Sequence, residues 1–445
     1  MPDDTSIEVN ANPVKEFFIN ILTRDVKIID TIPEFVDNSI DGASRIRDDE
    51  EYSGLYVNIE LSEDRAVLTD NCGGIPRDIA ENYAFRFGRP NEYTGEMDSL
   101  IGKFGVGMKR SLFKLGDYFL IESSTEDNHF VIEVDLDEWE EHDEWNFEME
   151  LVNPDEDERC ELSEHGTRIV IEELDEQVSE KFEQDLFISR LSDKLTSKNR
   201  NYLKDGLQII LNDEPLGYTS IDLLKSDDLE PAYEVFQFEE NGESVQVEIR
   251  AGLGESNPDE AGWYIFCNGR LVLEANTEEV TGWDGETIPK FHGEYNRFRG
   301  LVNFVSDDPG ALPWNTTKTG VNPDTPVYQK ARQEMQSTMR PIIDFMSDIA
   351  EQKKESESEE DVPLEVEVKK ADPVDADELE TVQTSFAAPD AEEEEESEGP
   401  ETTHISYERP VEKVEEIKEL LDITTNKEVG EKTFDYYYEF EVEEY

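Results

Sequence analysis

The first half of the chain mixes two periods of apolar and polar residues. Residues 28–46 place apolar side chains at helical spacing, which predicts an amphipathic helix. Residues 55–59 and 66–69 are short runs rich in Leu, Val and Ile that are typical of strands. Because helical and strand patterns are mixed over residues 14–211, we predict an α/β domain there.

The second half has a different pattern. Strand-like runs at residues 245–249 and 263–267 come first, and a helical pattern over residues 326–349 comes last. The pair Asn268 and Gly269 lies between two apolar runs, which predicts a hairpin turn. We therefore predict a smaller α+β domain over residues 216–350, after a first domain over residues 1–215.

The composition changes after residue 350. Residues 351–405 are mostly Glu, Asp, Ser and Pro, which predicts a disordered acidic linker because such a segment buries little apolar surface. Apolar residues return at helical spacing within residues 406–445, which predicts a helical C-terminal element. Two interpretations of this element stay open: it docks on its own chain, or it contacts a protein partner or a second copy.

The charge of the chain is extreme. Its 445 residues include 111 Asp and Glu against 40 Lys and Arg, for a net charge of -71. The tail does not explain this excess, because residues 351–445 hold 34 of the acidic and 9 of the basic residues. We favour a surface adapted to concentrated salt, as in halophiles, over repulsion or mimicry of nucleic acid. The acidic surface disfavours DNA as a partner. It does not exclude DNA, because strong salt shortens the Debye length to about 3 Å and charge repulsion then does not reach far.

Cysteine usage and the N-terminus bear on the compartment. The three cysteines, Cys72, Cys160 and Cys267, are scattered and odd in number, which favours a reducing cytoplasm over a disulfide framework. The five histidines are also dispersed, so no zinc site is predicted. The N-terminus has no signal-peptide pattern, and no apolar run reaches about 18 residues. We expect a cytoplasmic protein without a membrane partner.

Two polar segments of the first domain suggest chemistry. In residues 33–44 the side chains of Glu34, Asn38 and Asp41 lie within about 60° of one another on one helix face. In residues 68–76 a strand ends at Asp70 and runs into a glycine turn, where a carboxylate is able to accept the amino group of adenine. Alone, the first segment is more typical of a solvated helix and the second of an ordinary turn.

A third segment, residues 101–111, is rich in glycine and precedes a helical pattern. Backbone amides of such a loop and of the helix start behind it bind phosphate oxygens. The spacing matches neither a Walker loop nor a Rossmann fingerprint, so this segment alone is also a weak signal.

In this order, the three segments resemble the nucleotide-binding boxes of the GHKL superfamily. That superfamily includes type II topoisomerase ATPase subunits, MutL, the ninety-kilodalton heat-shock chaperones, sensor histidine kinases and MORC proteins. A Gly-Thr pair entering a strand at Gly166 and Thr167 matches a fourth element of the superfamily. The resemblance implies a Bergerat ATP-binding fold, a two-layer α/β (α+β) sandwich, in the first domain.

The second region resembles the transducer domains of the same superfamily. The hairpin with the sequence Asn268-Gly269-Arg270 is similar to hairpins of MutL and gyrase. Residues 297–302 and 312–318 look more like the MORC branch. In these relatives a transducer lysine contacts the γ-phosphate, and Lys318 is the candidate here; an ordinary surface lysine is the alternative.

The resemblance also implies roles for residues of the first domain. Glu34 is expected to be the general base that orients water on the γ-phosphate, and Asn38 the ligand of Mg²⁺. Asp70 is expected to bind adenine, with Thr167 supporting it directly or through water, and residues 76–99 to form a lid over the nucleotide. The full set of expected ATP contacts is Asn38, Asp41, Asp70, Gly74, Gly102, Lys103, Phe104, Gly105, Val106, Gly107 and Thr167.

Two positions depart from the family pattern. Cys72 replaces a glycine, which would cost about 1–2 kcal/mol if that position needs a left-handed backbone. Lys103 replaces a glutamine and either contacts phosphate or points to solvent. The presence of Glu34, with no histidine before it, argues against a sensor kinase.

The resemblance therefore implies a slow ATP hydrolase that needs ATP and Mg²⁺ and closes as a homodimer when ATP binds. DNA is a candidate client of this clamp. The alternative is a chaperone-like or scaffolding protein that uses ATP to gate protein contacts, with the C-terminal tail as its recruitment arm.

Overall fold

The computed structural model describes most of the chain: residues 14–47, 51–87, 107–240, 242–285, 287–315, 320–355, 362–379, 381–389, 409–421, 423 and 425–441. It divides into two compact units, residues 1–391 and residues 392–445.

The first domain consists of helices and one mixed sheet. The helices are α1 Lys15–Thr23, α2 Ile28–Ile46, α3 Arg77–Ile79 with the π-helical turn Ala80–Ala84, α4 Gly107–Leu115, α5 Leu136–Glu141, α6 Glu176–Phe182, α7 Asp185–Lys198 and α8 Arg200–Lys204. The strands are β1 Tyr56–Leu61, β2 Ala66–Asp70, β3 Gly116–Ser124, β4 His129–Asp135, β5 Met149–Leu151, β6 Gly166–Leu174, β7 Gln208–Leu211 and β8 Glu214–Pro215. The sheet order is β5-β4-β3-β6-β2-β1-β7-β8, and only β1 and β7 pair in parallel among these described strands.

The core of the first domain lies between the helices and one face of this sheet. Helix α2 is amphipathic, and its Phe35, Val36 and Ile40 are at most 2% exposed. They belong to the same buried cluster as Val57 and Phe119 on the sheet. Each such side chain contributes about 1.5–3 kcal/mol when it leaves water. The α/β class predicted from the sequence is confirmed, and the predicted helix at residues 28–46 has the same bounds.

The second region is built around a separate sheet. Its strands are β9 Asp222–Lys225, β10 Ala232–Glu240, β11 Glu243–Leu253, β12 Gly262–Cys267, β13 Arg270–Asn276 and β14 Phe298–Val305, followed by helix α9 Pro326–Glu355. Five of them pair in the order β10-β11-β14-β12-β13, and α9 packs on this sheet with Met335 and Met339 fully buried. Asn268 and Gly269 connect β12 and β13 with positive φ angles of 46° and 75°, as the predicted Asn-Gly turn requires.

The predicted disordered linker over residues 351–405 is wrong for part of its length. Helix α9 continues to Glu355, and residues 362–379 form helix α10 Pro363–Lys370 and strand β15 Asp372–Asp375, which pairs with β9. Val362, Leu364 and Val368 are at most 2% exposed. A few apolar side chains among many acidic ones are enough to dock this segment, because the acidic groups stay at the surface or find cations.

The C-terminal unit contains two helices, α11 Val411–Leu421 and α12 Asn426–Glu441, in the region where the sequence predicts a helical element. Within α12 five aromatic side chains are 47–65% exposed: Phe434, Tyr436, Tyr437, Tyr438 and Phe440. No helix among the described residues is both long and apolar enough to cross a membrane.

Candidate functional site

Helix α2 carries the first set of predicted site residues. The Glu34 side chain is 12% exposed, and its Oε1 accepts a hydrogen bond from Arg110 Nη2 on α4 at 3.0 Å. A Cβ at Gly107, the first residue of α4, would lie 1.9 Å from Glu34 Oε2. Only glycine allows α4 to begin this close to the carboxylate. The end of the glycine-rich segment is thus brought against the predicted catalytic base.

Asp70, at the end of β2, is 3% exposed and held by three donors. Its Oδ1 accepts from the backbone amides of Cys72 at 2.9 Å and Thr167 at 3.1 Å, and its Oδ2 accepts from the Ser39 hydroxyl at 2.7 Å. The predicted support from Thr167 is direct and comes from its backbone amide. These contacts fix the orientation of the carboxylate.

Two opposing effects act on the charge of Asp70. Burial raises the pKa of its carboxyl group, whereas the three hydrogen bonds and the charge of Arg45 lower that pKa. Asp41, which is 9% exposed, adds a second buried carboxylate on α2, and its charge raises the pKa of Arg45 against the lowering effect of burial. A neutral amino group is a suitable partner for a carboxylate in such a buried place, because it brings no charge of its own.

The turn after Asp70 requires glycine. Gly74 has a φ of 69°, and a Cβ there would lie 2.2 Å from the carbonyl oxygen of Ser124. Its own carbonyl accepts from Arg45 Nη2 at 2.7 Å. The left-handed conformation falls on Gly73 and Gly74 and not on Cys72, which is 1% exposed. The departure at Cys72 therefore carries no backbone strain of the kind considered from the sequence.

The start of the predicted lid is attached to α4. Helix α3 and its π-helical turn lead away from the glycine turn, and Lys109 Nζ donates to the carbonyl oxygen of Ala84 at 2.6 Å. Single π-helical turns are frequent at functional sites. Residues 88–99 of the predicted lid lie outside the described residues, as do Gly102, Lys103, Phe104, Gly105, Val106 and Lys318.

Three cations that the sequence did not assign to the site interact electrostatically with the predicted base. Arg110 belongs to α4, Lys198 ends α7, and Arg270 begins β13 of the second sheet. Burial lowers the pKa of Lys198 to about 8, with Lys194 adding to the effect, while Glu34 and Asp30 oppose it. Burial also lowers the pKa of Arg270 to about 10, against the charges of Glu34 and Asp30. Local sequence holds no signal for this grouping, because the three residues are far apart in the chain.

Several buried polar atoms at this end of α2 have no hydrogen-bond partner among the described residues. They include Asn38 Nδ2, Arg110 Nε and Ser111 Oγ. Asp37 Oδ2 and the guanidinium nitrogens of Arg270 also make no hydrogen bond among these residues, but the two groups contact each other as an ion pair. Buried polar groups are normally hydrogen-bonded, so such a set indicates a place for further polar groups. The three atoms of Asn38, Arg110 and Ser111 are able to donate, which fits the oxygens of a phosphate group. The side-chain nitrogen of Asn38 has no hydrogen-bond partner among the described residues, so no hydrogen bond from it prevents the amide from turning its oxygen toward a cation.

The fold and the site together define an α/β domain with a buried carboxylate acceptor at Asp70 and open donors near Glu34. Residues 27–167 match the family model described as histidine kinase-, DNA gyrase B- and HSP90-like ATPase. This match supports the GHKL superfamily for the first domain, and with it ATP binding and hydrolysis in general. It covers less than half of the chain, and the second sheet lies outside it. No curated protein matches the chain.

Proposed function

We propose that this protein is a magnesium-dependent ATPase of the GHKL type. The observation that carries the proposal is the pairing of two carboxylates in one site. Asp70 is fully enclosed and oriented by three donors, while Glu34 is partly exposed and lies among cations and open donors. The Asp70 carboxylate is suited to binding the adenine ring, and the Glu34 carboxylate to activating water.

At the adenine end, Asp70 accepts the exocyclic amino group of the base. Gly74 allows the base to approach the backbone, since any side chain there would meet the Ser124 carbonyl. Asp41 and Arg45 complete the charge balance beneath the turn. Thr167 acts through the amide that orients Asp70.

At the phosphate end, Glu34 orients a water molecule and takes its proton as the water oxygen bonds to the γ-phosphorus. The bond from that phosphorus to the bridging oxygen breaks in the same step, and ADP leaves. Arg110 holds one oxygen of Glu34 and leaves the other toward the start of α4. Asn38 would hold Mg²⁺, which when bound neutralises phosphate charge. The amides of Gly102, Gly105 and Gly107, with neighbouring Lys103, Phe104 and Val106, are proposed to bind the phosphates, and Lys318 to reach the γ-phosphate.

The test is ATP turnover and ATP binding by the intact chain and by Glu34→Gln, in buffer with high KCl and Mg²⁺. Because general-base catalysis contributes about 10²–10⁴-fold, we expect the variant to bind ATP and to lose at least about 100-fold in kcat. Glu180→Gln, on the exposed face of α6, is the matched control and should behave as the parent protein does. Equal turnover by Glu34→Gln would remove Glu34 from the mechanism.

We further propose that ATP binding closes two copies into a clamp, as in MutL and MORC relatives, and that the second sheet with α9 is its transducer. The resemblance of residues 297–302 and 312–318 to the MORC branch supports this assignment, and DNA is the first client to test. Sedimentation in molar KCl should give a dimer with a non-hydrolysable ATP analogue and a monomer without it. DNA retention should strengthen with the same analogue; a monomer in both conditions contradicts the clamp.

One observation favours a second function, nucleotide-gated binding of a protein partner. The five exposed aromatic side chains of α12 are a larger apolar surface than a solvated helix needs. In this alternative the C-terminal unit recruits the partner, and the nucleotide controls access to it. Loss of partner capture on deleting residues 409–445, with ATP turnover unchanged, favours this function over DNA binding. The acidic surface is proposed to suit a halophilic cytoplasm.

A further inference from the structure

Arg270 connects the second sheet to the helix that carries the catalytic residues. It is 1% exposed, and its guanidinium pairs with the carboxylate of Asp37 on α2, which is 3% exposed. Asp37 lies three positions after Glu34 and one before Asn38. Because a helix moves as a rigid element over so short a distance, the position of Asp37 also sets the positions of these two neighbours.

The hairpin that carries Arg270 is firmly held. Asn268 exchanges two hydrogen bonds with the backbone of Ser306, at 3.0 Å and 2.9 Å, and its carbonyl accepts from the Tyr202 hydroxyl at 3.1 Å. The turn is therefore fixed to the end of β14 and to α8. Because the hairpin is fixed in this way, a displacement of the second sheet would move Arg270 and, through Asp37, helix α2.

The pair is a poor device for stability alone. A buried ion pair recovers its desolvation cost only when further hydrogen bonds satisfy the remaining donors, and apolar residues of similar size often do as well or better. Beyond the contact with Asp37, the Nε and Nη2 atoms of Arg270 have no hydrogen-bond partner among the described residues. The charges of Glu34 and Asp30 also act on it, and Lys198 and Arg110 lie in the same charge network. An arrangement so sensitive to added charge is suited to respond to a ligand.

We propose that Arg270 is a positioning residue that holds α2 in its catalytic place and couples the second sheet to the nucleotide site. The inference rests on the proposed ATPase function. Arg270 acts through Asp37, so its removal shifts Glu34 and Asn38 relative to the phosphates and leaves the adenine end intact. We therefore expect the removal of Arg270 to lower kcat and to leave the affinity for ATP nearly unchanged.

The experiment compares Arg270→Met, Asp37→Asn and the double variant in ATP turnover and equilibrium ATP binding, in high KCl with Mg²⁺. A misplacement of about 1 Å costs about 100-fold in rate, so we expect kcat to fall about 100-fold with the Kd for ATP within about threefold. The double variant should be no slower than the singles, because both changes break one link. Arg270→Lys should recover part of the rate, since it keeps the charge.

Arg250→Met is the matched control. Arg250 is a buried arginine of the same sheet, 9% exposed, and its ion pair at 3.2 Å is with Glu248 of its own strand. It should keep the parental kcat. Should Arg270→Met fail to fold, Arg270→Lys carries the test with the same expected split between kcat and Kd.

Three outcomes overturn the inference. Parental kcat in the folded Arg270 and Asp37 variants does so while leaving the ATPase function in place. A Kd for ATP weakened as much as kcat also does so, because it indicates general damage to the site. A parent protein that neither binds nor hydrolyses ATP overturns the proposed function and, with it, this inference.

Discussion

The proposed adenine end, around Asp70, and the proposed phosphate end, around Glu34, are built in opposite ways. At the adenine end, both oxygens of Asp70 have donors from the same domain, and Gly74 and Gly166 pack against backbone carbonyls. At the phosphate end, Asn38, Arg110 and Ser111 carry buried donors without a partner among the described residues. The polar groups of the adenine end are hydrogen-bonded without a ligand, whereas several of those at the phosphate end are not.

Under the proposed function, this difference separates the part of the site that gives affinity for the nucleotide from the part that responds to its phosphates. A preformed adenine end gives affinity at little cost in ordering. The phosphate end gathers cations from α4, α7 and the second sheet, so its geometry depends on more than one domain. In the proposed function, a ligand that differs only in its phosphates therefore acts where the second sheet reaches α2.

The largest expected effect comes from filling the space above Gly74. Gly74→Ala forces a left-handed alanine and puts a Cβ 2.2 Å from the Ser124 carbonyl oxygen, so we expect the free energy of unfolding to fall by about 3 kcal/mol. Chemical denaturation in high KCl measures the loss. Gly54→Ala is the matched control, because Gly54 has a φ of 86° with nothing within 4 Å of its Cβ position. It should show the backbone cost alone, about 1 kcal/mol. Equal losses in the two variants would contradict a close-packed adenine end.

A smaller effect is expected from changing Asp70 itself. Asp70→Asn removes a charged acceptor from two backbone amides, and hydrogen bonds to charged groups are worth about 1.5–3 kcal/mol. We expect ATP and ADP to bind about 100-fold more weakly, with little difference between them, because both share adenine. Calorimetry with the two nucleotides measures this. Asp64→Asn, in the exposed turn between β1 and β2, should bind both as the parent does. A loss confined to ATP would assign Asp70 to the phosphate end instead.

The adenine end was largely predictable from the sequence because its signals are local. The periodicity of residues 28–46 gave the bounds of α2, and the strand end at Asp70 followed by Gly73 and Gly74 indicated the turn. The Ser39 hydroxyl on Asp70 was not predicted, since a serine within a helix carries no distinctive pattern. This hydrogen bond depends on the packing of α2 against β2, which the sequence pattern does not contain.

The phosphate end and the docked segment of residues 362–379 were not predictable in the same way. Arg270 is more than 200 residues from Asp37 in the chain, and β15 pairs with a strand almost 150 residues before it. Composition also misleads here: the acidic residues predict disorder, although Arg297 pairs with Glu365 at 2.8 Å and the neighbouring apolar side chains are buried. Contacts of this range depend on tertiary packing, which single-sequence periodicity does not contain.

The smallest expected effect concerns Lys198 and the pH dependence of stability. Burial brings the pKa of Lys198 to about 8 in the folded protein, below the ordinary value of 10.5. Between these pH values the unfolded chain binds a proton that the folded protein has released, so the free energy of unfolding rises with pH. We expect a rise of about 1–2 kcal/mol, reduced from the full shift because Lys198 is partly exposed.

Denaturation at pH 7.5 and pH 10 in molar KCl measures this rise, and Lys198→Met should lack it. Salt does not cancel it, since desolvation and not attraction between charges is its largest cause. Lys354→Met is the control, because Lys354 is exposed on α9 and keeps its water in both states. If Lys198→Met keeps the parental slope, Lys198 is hydrated in solution. The phosphate end then holds one fewer buried cation than the structure gives it, and its contrast with the adenine end rests on Arg110 and Arg270.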